Sequence, residues 1–262
     1  MKVNISLYIK FLKCQLQEFI LFKHGLLLNL LSQSLSFFTM ILGIYFLTSN
    51  FKSIGIYSYH EILFCYSIVQ CSFSLAQCFF RSFDQFPVLI RKGELDRFLV
   101  RPKSVIFQVM TYKNDFTRLI KVLLSLVIFT ISWGKVTIDW TVFKVIVLIF
   151  MVFFGSMLFS LLFIMYATFS VFTVQGLEIF NVLTDGAAEF GKYPVSIYGE
   201  NILKLTTYVI PYALFQYYPF LYLLGEKHEI IYGIIPVFII FFSVPVILFW
   251  RIGLRHYTST GN

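Results

Sequence analysis

The feature that most constrains this chain is a set of long runs containing no charged residue. A helix needs about 20 apolar residues to cross roughly 30 Å of hydrocarbon. Leu26–Leu47, Ile62–Phe80 and Ile230–Trp250 each supply such a run, the last reading as a clean span. Val145–Leu177 is charge-free over more than one perpendicular helix requires, so it holds a span plus a turn. Val122–Gly134 is shorter and reaches span length only if Arg118 and Lys121 extend their charges to the interface. Charged residues make up 13% of the 262-residue chain, about half the share of a soluble domain, and 33 residues are Phe. An all-α polytopic membrane protein is therefore expected, a single transmembrane domain over 1–262. So many apolar helices leave little room for a soluble domain beside them.

One region reads two ways. Leu205–Gly225 is charge-free but contains Pro211 and Pro219, which remove backbone donors and break helices. In lipid such breaks persist only where protein or a water-filled cavity satisfies the backbone. Either this stretch is a fifth span, or it is re-entrant. In the second case Phe172–Lys192, carrying Glu178, Asp185 and Glu189, is a polar fifth span. Both readings give six transmembrane helices.

The distribution of Lys and Arg orients the chain. Lys2, Lys10, Lys13 and Lys23 precede the first span. Arg91, Lys92, Arg97, Arg101, Lys103 and Lys113 follow the second, with Arg81 and Arg118 at the edges, and Arg251 and Arg255 follow the last. The loops after the first and third spans offer only Lys52 and Lys135. Six spans with both termini cytoplasmic satisfy this pattern. The same clustering accounts for the net charge of +8 without any nucleic acid. Lys10, Lys13, Glu18 and Lys23 interrupt any signal-peptide core. Residues 1–24 instead read as an interfacial helix, with Ile5, Ile9, Leu12, Leu16 and Phe19 at helical spacing and Lys10, Lys13 and Gln17 on another face.

Leu89–Met110 exceeds what a positive-inside loop needs. It mixes basic residues with Glu94 and Asp96 and with the apolar Leu95, Leu99 and Val100. A turn at Gly93-Glu94-Leu95-Asp96 leads into a short amphipathic helix stopped by Arg101-Pro102. Such a helix lying along the membrane presents charge to a soluble partner.

On the second span, Ser67, Gln70, Ser74, Gln77 and Arg81 step by three and four and share one face. Polar side chains at that depth face protein or water. Interhelical hydrogen bonds worth about 0.6–2 kcal/mol each account for the stripe in one reading. The lining of a route through the membrane, or an interface with a second copy or sister chain, accounts for it in the other. Glu178, Asp185 and Glu189 step by seven and four, consistent with an interfacial or loop position or with a substrate-contacting cluster.

Other chemistry is thinly represented. Gly186–Tyr193 matches a P-loop except that Tyr193 replaces the magnesium-binding hydroxyl, and Pro194 follows at once. His24, His60, His228 and His256 are scattered, and Cys14, Cys65, Cys71 and Cys78 form no CxxC or Cys/His metal pattern. Neither a catalytic grouping nor a metal site is expected.

Ile90–Pro102, reading IRKGELDRFLVRP, resembles the signature of the ABC-2 permease family: Ile-Arg-x-Gly-x-Leu-Asp, apolar residues, then Arg-Pro. Lys192–Pro219 is similar to that family's Tyr-Pro-x-Ser-Ile-Tyr stretch followed by an Ile-Pro-x-Ala helix and a second Pro. Trp250–Asn262 resembles its Trp-x-x-Gly-Leu-x-x-Tyr-x-Ser-x-Gly ending. The three segments span nearly the whole chain in the family's order. An aromatic Trp frequent near the family's fifth span is missing here.

The resemblance implies a membrane-spanning exporter subunit in a bacterial cytoplasmic membrane, driven by a separate ABC ATP-binding subunit. It implies no cofactor or enzymatic site of its own, since ATP is hydrolysed on the partner. Arg91, Gly93, Glu94, Leu95, Asp96, Arg97, Arg101 and Pro102 would form the coupling helix seated in that partner. The segment 193–224, with Tyr193, Pro194, Pro211 and Pro219, would be the re-entrant hairpin, which makes Phe172–Lys192 the fifth span. The chain would form half of a pathway, completed by a second copy or a sister permease. Two other classes stand beside this one: a stand-alone channel or secondary transporter, which inverted repeats would mark, and a membrane-embedded enzyme, which facing acids or a nucleophile dyad would mark.

Overall fold

The computed structural model describes residues 5–21, 23–51, 56–173 and 181–259, and no β-strand occurs among them. Helices α1 (Ile5–Leu21) and α2 (Lys23–Phe51) lead into α3 (Tyr59–Phe80). Short helices α4 (Phe86–Arg91), α5 (Leu95–Leu99) and α6 (Val105–Met110) precede α7 (Arg118–Trp133) and the 31-residue α8 (Val142–Phe172). The C-terminal third is finer grained: α9 (Ala187–Phe190), α10 (Glu200–Tyr208), α11 (Tyr212–Phe215), α12 (Tyr217–Leu224), α13 (Ile230–Ile234) and α14 (Ile239–His256).

Four stretches are long and apolar enough to cross a membrane: Gly25–Ser49, Tyr59–Arg91, Val142–Phe172 and Ile230–His256. Helix α7, with 16 residues, falls short of that length, as the brevity of Val122–Gly134 anticipates. The last stretch is less clean than its sequence implies. Pro236, which lacks a backbone donor, lies in a 3-10 turn at Ile235–Phe238 that separates α13 from α14, and Pro245 sits inside α14.

Helix α3 is the axis of the fold. Ser58 and Glu61 form a reciprocal capping box at its start, the Ser58 N–H donating to the Glu61 carboxylate at 2.8 Å. Nearly every side chain from Ile62 to Cys78 is buried, between α7 on one side and α8 on the other. Cys65, Cys71 and Cys78 are buried along it, whereas Cys14 is exposed. Helix α14 packs on the far side of α8, where a side chain at Gly253 would meet Thr168 at 2.7 Å. Helix α2 lies at the periphery and buries little besides Phe37, Ile44 and Thr48. Its exposed Leu27, Leu28, Leu31, Leu35 and Phe38 make the surface expected of a helix against lipid. Trp133 and Trp140 stack in parallel, centroids 3.7 Å apart, and close the α7–α8 hairpin.

Leu205–Gly225 is not one helix. The chain breaks between α10 and α11 at Pro211 and again at Gln216, and Gly225 ends α12 in the left-handed region at φ 82°. Lys144 on α8 donates to the Leu223 carbonyl at 2.9 Å, where the negative end of the α12 dipole favours a cation. Of the apolar set on α1, Ile9 and Leu16 point outward and Leu12 is half-buried; it is Tyr8 and Gln15, outside that set, that dock on the chain. The side chains of Ile5 and Phe19, the residues of 174–180 including Glu178, and the last residues of the tail lie outside the described set.

Gly155 marks a tight three-way crossing. A Cβ there would lie 2.7 Å from the Phe215 ring and 2.8 Å from the Ser72 hydroxyl, so α3, α8 and α11 meet at a residue without a side chain. Gly155→Val is expected to destabilise the protein by about 1–3 kcal/mol through overpacking. Thermal unfolding in detergent checks this, and an unchanged melting temperature would show that the junction has room to spare.

Candidate functional site

Below α3 the chain passes through a 3-10 turn at Arg81–Gln85 into α4, whose second residue is Pro87. It then reverses. Gly93 takes a positive φ of 68°, which a side chain would strain, and the Gly93 and Glu94 N–H groups donate to the Ile90 and Leu89 carbonyls, each at 3.0 Å. Helix α5 follows and ends before Arg101-Pro102. Ser104 caps α6, its hydroxyl accepting from the Phe107 N–H at 3.4 Å. Buried Gln108 ties the two short helices together, donating to the carbonyls of Phe98 at 2.8 Å and Lys103 at 2.9 Å. The turn and short helix expected from Gly93 to Pro102 are thus held as a closed unit.

That unit has two faces. Inward, Phe83, Phe86, Leu89 and Leu95 are fully buried, and Phe98 nearly so. Trp250 of α14 packs against Phe83 and Phe86 at centroid distances of 5.9 and 5.2 Å. Outward, Arg91, Lys92, Arg97, Arg101 and Pro102 are exposed. Between them the apolar Leu99 and Val100 stand at 44% and 83% exposure. Gly93, Glu94 and Asp96 are half-buried.

The structure joins two segments that sequence reasoning kept apart. The Ser259 hydroxyl in the C-terminal tail donates to the Asp96 carboxylate at 2.6 Å. The same carboxylate lies beside Tyr257, whose phenol is pushed up by burial first and then by the negative charge of Asp96. Asp96 therefore already has a partner within the chain. Ser259 was missed because nothing in a linear spacing of 163 residues marks the pair.

The exit from the unit is tied as firmly. Gln15 of α1 donates to the Thr111 carbonyl at 3.0 Å and accepts from the Asn114 N–H at 3.1 Å and its side-chain amide at 2.9 Å. Ser82 and Lys113 are joined by hydrogen bonds in both directions, and the Asp115 N–H donates to the Cys78 carbonyl at 3.3 Å. Arg118 pairs with Asp115 at 2.8 Å.

The polar stripe of α3 turns into the protomer. Ser67, Gln70, Ser74 and Gln77 are all buried. Ser67 donates to the Phe64 carbonyl at 2.7 Å and Gln70 to the Ser74 hydroxyl at 3.2 Å. At the lower end Gln77 donates to Asp185 at 3.3 Å, and Arg81 pairs with Asp84 at 3.1 Å and Asp185 at 3.5 Å. Asp185 sits in a π-helical turn, Val182–Gly186, whose extra residue re-aims the side chains after it. Of the two described members of the acidic trio, Asp185 is brought to the stripe, whereas Glu189 pairs locally with Lys192. The P-loop-like stretch Gly186–Tyr193 is thus the end of a π turn, a short helix and a bend.

Higher up, Pro194, Pro211 and Pro219 are buried and Tyr193 is half-buried. Gln216, which carried no sequence signal, organises them. It is buried, and its amide donates to the carbonyls of Gly191 at 2.9 Å and Tyr193 at 2.8 Å and contacts the Cys65 sulfur at 3.4 Å.

These features define a helical membrane protein with a compact, basic, helix-turn unit hung from its most buried helix. Residues 34–261 match the family described as ABC-2 family transporter protein, and the chain belongs to that family. No curated protein and no solved structure matches it.

Trp250→Ala removes the ring that joins α14 to the 3-10 turn and α4, and is expected to cost about 3–5 kcal/mol, read as a fall in melting temperature. Ser259→Ala is expected to leave the melting temperature nearly unchanged while speeding amide exchange within Leu95–Leu99. Unaltered exchange there would show that the tail does not hold α5.

Proposed function

We propose that this chain is the membrane-spanning permease subunit of an ABC-2 exporter, driven by a separate ATP-binding subunit that seats on Leu89–Met110. The observation that carries the proposal is the outward face of α5, in a chain of this family. Leu99 and Val100 project from a ring of arginines while Leu95 and Phe98 root the helix in the core. Large aliphatic side chains left that exposed outside a span are suited to a protein cleft, and the surrounding cations suit an acidic rim. ATP-driven closure of the partner would push α5. Through Phe83, Phe86 and Trp250 the push would reach α3, α8 and α14.

In this reading the chain crosses a bacterial cytoplasmic membrane six times with both termini cytoplasmic, α7 serving as the third span. Phe172–Lys192 is the fifth span and 193–224 the re-entrant hairpin on the outer side. The breaks at Pro211 and Gln216 support this over a continuous helix at Leu205–Gly225. The permease is half of the pathway and pairs with itself or a sister permease. Two ATPase subunits bind beneath, against α5 and the N-terminal helix, and transport runs outward. Tolerance of Gln70→Leu with Gln77→Leu would assign the α3 stripe to packing, and a changed transport rate would assign it to the route.

The test is a tagged pull-down in mild detergent from native membranes, with co-purifying chains identified by mass. An ATP-binding subunit should be recovered with the native chain and lost with Leu99→Glu plus Val100→Glu, which alter only exposed positions, while membrane insertion stays intact. Recovery of no ATPase in several detergents would overturn the proposal in favour of a stand-alone channel or membrane enzyme. Undiminished recovery with the double variant would move the contact elsewhere.

A further inference from the structure

Between α3, the π turn and α10–α11 lies a cavity of about 210 Å³. Its wall is almost entirely carbon, drawn from residues such as Val69, Leu183, Ala187, Leu205 and Phe215. The few polar side chains on that wall spend their donors on the protein. Tyr212 donates to the Leu183 carbonyl, Tyr198 to the Phe190 carbonyl at 3.0 Å, and Thr206 to the Ile202 carbonyl at 2.8 Å. The Gln216 amide nitrogen is held by Gly191 and Tyr193. Water needs two to four polar partners, and a dry apolar cavity of about 150 Å³ is large enough to bind benzene. This cavity therefore selects an apolar occupant and has room for a segment of one.

Its mouth identifies the source. Val182, Phe190, Ile202 and Leu205 line the cavity and are also exposed, Phe190 at 58% and Leu205 at 52%. The cavity wall thus runs without interruption into apolar outer surface, which on a membrane-spanning chain faces lipid. Helix α10 beside it has no buried residue. Glu200 and Lys204 pair at 3.6 Å on its polar side, while Ile202 and Leu205 turn to the cavity. A helix so divided suits the membrane interface, its charges toward the headgroups and its apolar side toward the chains.

We infer that this cavity takes a hydrocarbon chain of a bilayer lipid, entering past Phe190, Ile202 and Leu205 while the headgroup stays near Glu200 and Lys204. The inference rests on the helices being in a membrane, not on the ATP-binding partner, so either can fail without the other.

The full chain, reconstituted in phosphatidylcholine nanodiscs, is photolabelled with phospholipid carrying a diazirine on its acyl tail, and adducts are mapped by peptide mass. Peptides spanning 182–190 and 202–206 should label severalfold above Leu123–Val127, a stretch of α7 with exposed apolar residues. Ala187→Phe and Thr206→Phe, which fill the cavity from α9 and from α10, should each bring that excess down to the α7 level and leave α7 labelling unchanged. A headgroup diazirine should label Glu200–Lys204 and spare the cavity wall. Cavity peptides labelled no more than α7 in the native chain, or an excess that survives in whichever filled variant folds, would overturn the inference. Should neither variant fold, the native ratio decides alone.

Discussion

Helix α3 can carry Ser67, Gln70, Ser74 and Gln77 through hydrocarbon depth because neighbouring helices enclose it on nearly every side. In a bilayer an unsatisfied polar group has no water to turn to, so a polar helix must be the innermost one. The rest of the architecture follows from that enclosure. Helices α7 and α8 supply the walls, α14 packs behind α8, and α2, with its many exposed aliphatic side chains, is left outside. Where α3 ends, its last polar residues are still sheltered. Arg81 is neutralised by Asp84 and Asp185, so the charge at the end of the helix is balanced within the chain.

This places the basic unit at α4–α6 in a particular mechanical position. It continues directly from the most enclosed helix, and its inward aromatic side chains are the ones that Trp250 reaches from α14. Dense packing transmits displacement because interiors have little compressibility. Contacts from Phe83 and Phe86 to Trp250 thus connect the unit to both the centre and the far side of the bundle. The tail adds a third tie, since Ser259 holds Asp96 at the start of α5.

Much of this was legible in the sequence. Charge-free runs marked four spans, and the three- and four-residue steps of Ser67 to Arg81 marked one helical face. Gly93 and Arg101-Pro102 bounded the short helix where the structure has it. What was not legible were contacts between segments distant in the chain: Asp96 with Ser259, Gln77 with Asp185, and Gln216 with the carbonyls of Gly191 and Tyr193. The interruption around Pro236 was readable in principle, but an apolar run conceals a local change of helix type.

By itself the sequence determined that the chain is a helical membrane protein, which helices are apolar, and which face of α3 is polar. Those properties depend on composition and on a 3.6-residue period, both local. Tertiary structure alone decided that the polar face turns inward, that Asp96 is held by the tail, and that an apolar cavity opens beside α10. A periodic pattern states that a face needs covering but not what covers it. The partner is chosen by packing among helices that the chain brings together only when it folds.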